Sequence, residues 1–222
     1  MPVFYLTEEL IFPPVNLADE DGLLAYGGDL SVERLLLAYQ EGIFPWYNEP
    51  PILWWSPDPR FVLFPDELKL SASMKQVLKK GIFEITFDKD FAGVIAGCRE
   101  SPRKGQDGTW ITEEVADAYT ALHNEGYAHS VECWQGGDLV GGFYGVMLGN
   151  CFFGESMFAK ATNASKAAFV TFVQRAAVLG VKVIDCQVYT EHLASLGAKF
   201  ITREEFLGII NENHFQRKKG RK

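Results

Sequence analysis

No stretch of about 18 apolar residues occurs anywhere in the 222-residue chain, so no membrane-spanning helix is expected. The opening segment, MPVFYLTEELIFPP, lacks a basic region and carries two glutamates, so no signal peptide is expected either. Cysteine is scarce. Cys98, Cys133, Cys151 and Cys186 are scattered without a CxxC pair, which fits reduced, buried thiols and a cytoplasmic location. Neither the cysteines nor the four histidines show metal-ligand spacing, so no metal is expected. Repeats are absent, and only the C-terminal tail is compositionally biased. An excess of positive charge is missing too: 21 Lys and Arg against 29 Asp and Glu give −8, which argues against a general nucleic-acid binder.

What is present is an ordinary globular composition, 47% hydrophobic and 23% charged, with enough length for one or two domains and a sizeable core. The cations are unevenly placed. RKKGRK (217–222) is a basic tail. Lys69, Lys75, Lys79 and Lys80 form a second group, and Arg99, Arg103 and Lys104 a third. Each is either a solvated face or a local phosphate footprint on an acidic body.

Ser31 can cap a helix whose apolar face is Leu35–Tyr39 and which stops at Gly42. Three tryptophans and five prolines then fall within residues 45–60, a density that argues against any regular element there. Residues 1–60 therefore read as a small N-terminal domain with a Trp-lined loop. From 61 to 222 the pattern is mixed. Strands are expected at 61–64 and 83–87, and helices at 71–81, 88–100 and 112–125, with a polar loop at 101–109. Three strands follow in a meander (129–135, 139–148 and 151–158). A helix capped by Asn163 runs to Leu179, a buried strand covers 181–188, a short helix and strand 192–200, and a capping box at Thr202 and Glu205 opens the last helix. This order, β-α-β-α-α-β-β-β-α-β-α-β-α, predicts an α+β fold with a mixed, mostly antiparallel sheet. It resembles the acyltransferase fold of GCN5-related N-acetyltransferases.

Two polar intrusions interrupt apolar strands. Strict alternation puts Glu155, in GESMF, on one face with Cys151, Phe153 and Met157. In VIDCQV, Asp185 and Gln187 share a face, roughly 6–7 Å apart, with Ile184 and Cys186 opposite. Together these polar groups can form a cleft between splayed strands. Acetyltransferases of this fold hold coenzyme A on a glycine-rich loop. The equivalent FAKATNASK has no glycine, so it lacks the backbone cradle for a pyrophosphate, and no cofactor is expected.

GLLAYGGDLSVERLLLAYQEGIFPW, PILWWSPDPR, GTWIT, AHSVE, LVGGFYGV, GESMF, NASK and IDCQV-x-x-x-H-x-x-SLGA follow one another from about residue 22 to 200. In this order and spacing they resemble the motifs of bacterial leucyl/phenylalanyl-tRNA–protein transferases. The resemblance implies transfer of leucine or phenylalanine from aminoacyl-tRNA to the α-amino group of proteins beginning with Arg or Lys, creating an N-degron. A monomer without cofactor is expected. A coenzyme-A-dependent N-acetyltransferase and a noncatalytic RNA-binding adaptor are the rival readings.

The resemblance also implies roles. Gln187 contacts the attacking amine and Asp185 polarises it. An amide is a very weak base, so Asp185 acting through Gln187, a water or the tRNA hydroxyls remain open as proton acceptors. Glu155 holds the cationic side chain of the acceptor. Phe143, Phe152, Met157, Phe169, Phe172 and Ile184 form the aminoacyl pocket, or else ordinary core. Strict alternation sets Phe152 opposite Met157, so a bulge near Gly154 is required to bring both to one pocket. Trp46 and Trp110 line the place of the 3′-terminal adenosine. Lys75, Lys79 and Lys80, on one helix, contact tRNA phosphates.

Overall fold

Side-chain oxygens begin most helices of this chain. A computed structural model describes residues 3–101 and 110–219, with side chains through residue 211. Arg103, Lys104, the loop 102–109 and the side chains of the tail 217–222 lie outside the described residues. Ser31 accepts a hydrogen bond from the Arg34 amide, Ser71 from Met74, Asp90 from Gly93 and Thr112 from Val115. Asn163 differs. It occupies the N-cap position with φ +68°, but its side chain caps nothing.

The N-terminal part holds strands β1 (Phe4–Leu6) and β2 (Leu23–Gly27), helix α1 (Val32–Gln40), and strands β3 (Phe44–Pro45) and β4 (Leu53–Trp55). The strands form a four-stranded sheet in the order β1-β2-β4-β3. The proline-rich stretch thus contains regular structure after all. Its prolines flank Leu53–Trp55 without entering it, and Pro45 lies on the edge strand, where a missing N–H costs no ladder bond.

From Arg60 onward the elements are β5 (Arg60–Leu63), α2 (Ala72–Lys80), β6 (Glu84–Phe87), α3 (Phe91–Glu100), α4 (Glu113–Asn124), β7 (Ala128–Gln135), β8 (Asp138–Leu148) and β9 (Cys151–Ala159). They continue with α5 (Ala164–Val178), β10 (Val183–Gln187), α6 (Glu191–Ser195), β11 (Lys199–Ile201) and α7 (Arg203–Lys219). This is the order read from the sequence. Seven strands make one sheet, β11-β5-β10-β9-β8-β7-β6, antiparallel except for the β9–β10 pair. The fold is α+β.

Each face of the large sheet carries a core. One joins Phe153, Phe158 and Val183 to α3, α4, Phe206 and the N-terminal part, through Leu35, Tyr39 and Trp54. The other packs Phe143, Phe152 and Ile184 under α2, α5 and α6. Gly141 lets α5 approach the sheet, since a Cβ there would lie 2.7 Å from that of Ala164. Among the described residues no helix is long and apolar enough to cross a membrane.

Candidate active site

The site forms where β9 and β10 part. Their parallel ladder ends at Phe153 and Asp185. Beyond that, β9 pairs with β8 and β10 with β5. Both remaining ladders slip at the opening. Tyr144 pairs with Ser156 and Gly145 with Gly154, so Glu155 is the extra residue of a bulge. Asp185 pairs with Val62 and Gln187 with Phe61, so Cys186 is extra on β10, and Gln187 takes a left-handed φ of +59°.

The bulge on β9 inverts the alternation. Phe152 and Met157 both face the core under α5, while Phe153 and Phe158 face the other. Grouping Met157 with Cys151 and Phe153 is therefore corrected: one inserted residue exchanges the faces. Gly145 permits this geometry, because a Cβ there would stand 2.2 Å from the Phe153 carbonyl oxygen.

Glu155 points at three neutral donors. Tyr39 donates to Oε1 at 2.8 Å, Tyr119 to Oε2 at 2.9 Å, and the Gln187 side-chain amide to Oε1 at 3.0 Å. Among the described residues no cation pairs with it. Burial raises its pKa to about 7, although the three hydrogen bonds pull the other way. Tyr39 comes from α1 and Tyr119 from α4, so elements distant in sequence assemble this carboxylate's surroundings.

Asp185 is fully buried and accepts from Arg60 Nε at 2.9 Å and Nη2 at 2.7 Å. The Arg60 guanidinium lies over the rings of Phe44 and Phe206, at 4.6 and 4.9 Å from their centroids. Asp185 Oδ1 also accepts from the Gln187 backbone N–H at 3.0 Å. Asp185 and Gln187 thus do not present one shared polar face. Asp185 turns to Arg60, Gln187 reaches Glu155, and the β10 bulge separates them. The link between the pair runs through the backbone of Gln187, not its side-chain amide.

Glu155, Asp185 and Gln187 border a cavity of about 710 Å³. Phe143, Met157, Phe169 and Ile184 supply apolar wall. Phe152 and Phe172 are not on that wall. They pack behind Phe143, with ring centroids at 6.0 and 5.4 Å. Trp46 and Trp110 line the cavity; Trp46 keeps 37% of its surface exposed and Trp110 only 4%. Lys75, Lys79 and Lys80 lie on the exposed side of α2, away from this cavity. Tyr39, Tyr119 and Arg60 were missing from the sequence-derived set. The signal for the tyrosines was available: a hydroxyl inside an apolar helix stripe needs a buried partner. Among the described residues no group of His, Cys, Asp and Glu is placed to hold a metal ion.

Residues 62–211 match the family model for leucyl/phenylalanyl-tRNA protein transferase, and residues 28–58 match the model for its N-terminal domain. The chain belongs to this family. Curated leucyl/phenylalanyl-tRNA–protein transferases similar to it include that of Syntrophobacter fumaroxidans, 60% identical across 96% of this chain and 92% of the relative. That of Syntrophus aciditrophicus is 58% identical across 96% and 90%. Among solved structures, a GCN5-related N-acetyltransferase from Kribbella flavida is similar at a TM-score of 0.38 and 11% identity, over 75% of this chain and 60% of that one. The cleft between β9 and β10 holds polar groups at the end of an apolar cavity.

Proposed function

We propose that the chain transfers leucine or phenylalanine from aminoacyl-tRNA to the α-amino group of proteins that begin with Arg or Lys. The observation that carries this is Glu155: a half-buried carboxylate whose partners among the described residues are all neutral, at the polar end of an apolar cavity. A buried ionised carboxylate without a cation is costly, and the guanidinium or ammonium of an incoming N-terminal residue supplies one.

The donor side chain lies against Phe143, Met157, Phe169 and Ile184, with Phe152 and Phe172 backing the wall. The flexible Met157 lets one pocket take both leucine and phenylalanine. Trp46 and Trp110 receive the terminal adenosine by stacking. Lys75, Lys79 and Lys80 meet phosphates further along the tRNA. Residues 1–60 act as a small N-terminal domain that brings Trp46 to the catalytic part.

The aminoacyl ester is already activated, so positioning does most of the work. The neutral α-amine attacks the ester carbonyl. A C–N bond forms, the C–O bond to the ribose breaks, and the amine proton ends on the released hydroxyl. Gln187 gives its NH₂ to Glu155, which leaves its carbonyl oxygen to accept a hydrogen bond from the attacking amine. Asp185 is a positioning residue: it ties down the Gln187 backbone and is itself held by Arg60. The test is incubation with Phe-tRNA and an Arg-N-terminal peptide. A gain of one phenylalanine residue in mass is expected, and its absence under permissive conditions would sink the reading.

A further inference from the structure

Beside the main cavity lies a smaller one of about 130 Å³. It is bordered by the first turns of α2 and α5 and by α6. His192 borders both cavities. Both its ring nitrogens are buried, and neither has a hydrogen-bond partner among the described residues. Buried polar groups of this kind ordinarily have partners, so two such nitrogens on one ring leave the site able to bond a group from outside the chain.

The other groups around the small cavity set the ligand's sign. They are Lys166, Asn163 and the hydroxyls of Ser71, Ser73 and Ser195; no carboxylate is among them. Ser195 already donates to the His192 carbonyl at 2.6 Å, and Ser71 is engaged with the Met74 amide and Ser73. Lys166, His192, the Asn163 amide and one hydroxyl of the Ser71–Ser73 pair are the donors left. Two helices, of nine and fifteen residues, start here, and α5 has no side-chain cap. Their N-terminal amides add positive potential to that of Lys166. Burial first, and Lys166 second, hold the His192 imidazole below its usual pKa, so it meets a ligand as a neutral ring with one N–H to donate. A small anion such as one phosphate suits this set of donors.

We propose that this small cavity binds the phosphodiester on the 5′ side of the donor's terminal adenosine, through Lys166, His192 and the first turns of α2 and α5. The assignment rests on the transferase reading, which places the adenosine in the adjoining cavity. His192 stands in the wall the two cavities share, so the RNA backbone leaving the larger one passes it. The exposed lysines of α2 lie further along a helix that borders the small cavity. A phosphate here fixes the depth at which the terminal nucleoside sits, and so the position of its ester.

Two small donors isolate that phosphate: phenylalanyl-adenosine and its 5′-phosphate. With wild-type protein and an Arg-N-terminal peptide, the phosphate should raise kcat/KM about tenfold or more, mainly through KM. Lys166→Ala and His192→Asn should each reduce the ratio between the two donors, and Lys166→Arg should largely restore it. Lys182→Ala, an exposed cation elsewhere, should leave it intact. Absence of any gain from the phosphate, an undiminished ratio in both variants, or an equal loss in Lys182→Ala would overturn the site. Equilibrium titration with amide-linked analogues of both donors reads the same ratio without catalysis. Failure of both ester donors to react would count against the transferase reading, while the titration still decides the phosphate site.

Discussion

Arg60 gives Asp185 two parallel hydrogen bonds, at 2.9 and 2.7 Å, in a place where neither side chain meets water. The pair joins β5 to β10 just where β10 bulges, and the same carboxylate holds the Gln187 amide. Arg60→Met should leave a buried, unpaired carboxylate and lower stability by about 3–5 kcal/mol. Adding Asp185→Leu should recover most of that loss, since an apolar pair replaces an ionic one. Transfer should stay slow in the double variant, because the tether on Gln187 is still gone. Denaturant midpoints and single-turnover rates on the three proteins check both statements. A fully active double variant would remove Asp185 from the mechanism.

Glu155→Gln keeps the shape of the site and removes its charge. Turnover of Arg-N-terminal acceptors should fall by about a hundredfold in kcat/KM, the worth of a charge-assisted hydrogen bond. Preference for Arg over a neutral N-terminal residue of similar length should disappear. Competition between two such peptides, read by mass, measures the preference directly.

The raised pKa of Glu155 gives this site a pH signature. Its folded value of about 7 lies above the ordinary 4.5, so the empty folded protein binds more protons than the unfolded chain between those values. Its stability contribution therefore declines as pH rises from about 4.5 to about 7, by a total on the order of 3 kcal/mol. A bound guanidinium favours the ionised form, so binding releases a proton below pH 7. Butylguanidinium, which has no α-amine and does not titrate in this range, should bind up to about tenfold more tightly per pH unit until about pH 7. Above that the affinity should level off. Calorimetry in buffers of different ionisation heat counts the proton. In Glu155→Gln both the slope and the proton should vanish.

Residues from 60 onward announced their elements because the periods are clean and the caps are Ser, Asp and Thr at helix starts. The N-terminal sheet was invisible because its strands are two to five residues long and separated by proline and glycine. Pattern needs length, and Phe44–Pro45 has none. In the site, Glu155, Asp185 and Gln187 stood out as polar residues in apolar strands. What they touch did not. Tyr39 and Tyr119 reach Glu155 across 116 and 36 positions of sequence, and Arg60 reaches Asp185 across 125. The inverted alternation after Glu155 escapes a reading by strict period, because a bulge leaves the composition of a strand unchanged; it was the family pocket, which needs Phe152 and Met157 on one side, that called for a bulge near Gly154, and the bulge is there.

Lys75, Lys79 and Lys80 are exposed and outside the cavity, so their contribution should be electrostatic alone. Replacing all three by alanine should raise the KM for Phe-tRNA at low salt and leave that for phenylalanyl-adenosine unaltered. The plot of log KM against log salt concentration should flatten by about 0.7–0.9 for each phosphate that is no longer neutralised. An unchanged slope would mean that these lysines form a solvated face with no part in donor binding.

The bulge itself rests on glycine, and two neighbouring glycines predict opposite outcomes. At Gly145 a Cβ would lie 2.2 Å from the Phe153 carbonyl oxygen and 2.5 Å from the Phe152 ring, both fixed in the core. Backbone oxygen cannot rotate away, so Gly145→Ala must push β8 from β9 or undo the bulge. A loss of about 1–3 kcal/mol or more in a urea titration is expected. Gly154 pairs directly with Gly145, yet the only atom near a Cβ there is the Asp185 carbonyl oxygen at 3.3 Å, which a shift of a few tenths of an ångström relieves. Gly154→Ala should therefore fold nearly as well as the parent. Its effect should appear in turnover, because that small shift falls on Asp185, which fixes the backbone of Gln187. Equal destabilisation by the two substitutions would mean that the strands tolerate no bulge adjustment on either side. The placement of Glu155 would then depend on the whole ladder and not on the single gap that Gly145 leaves.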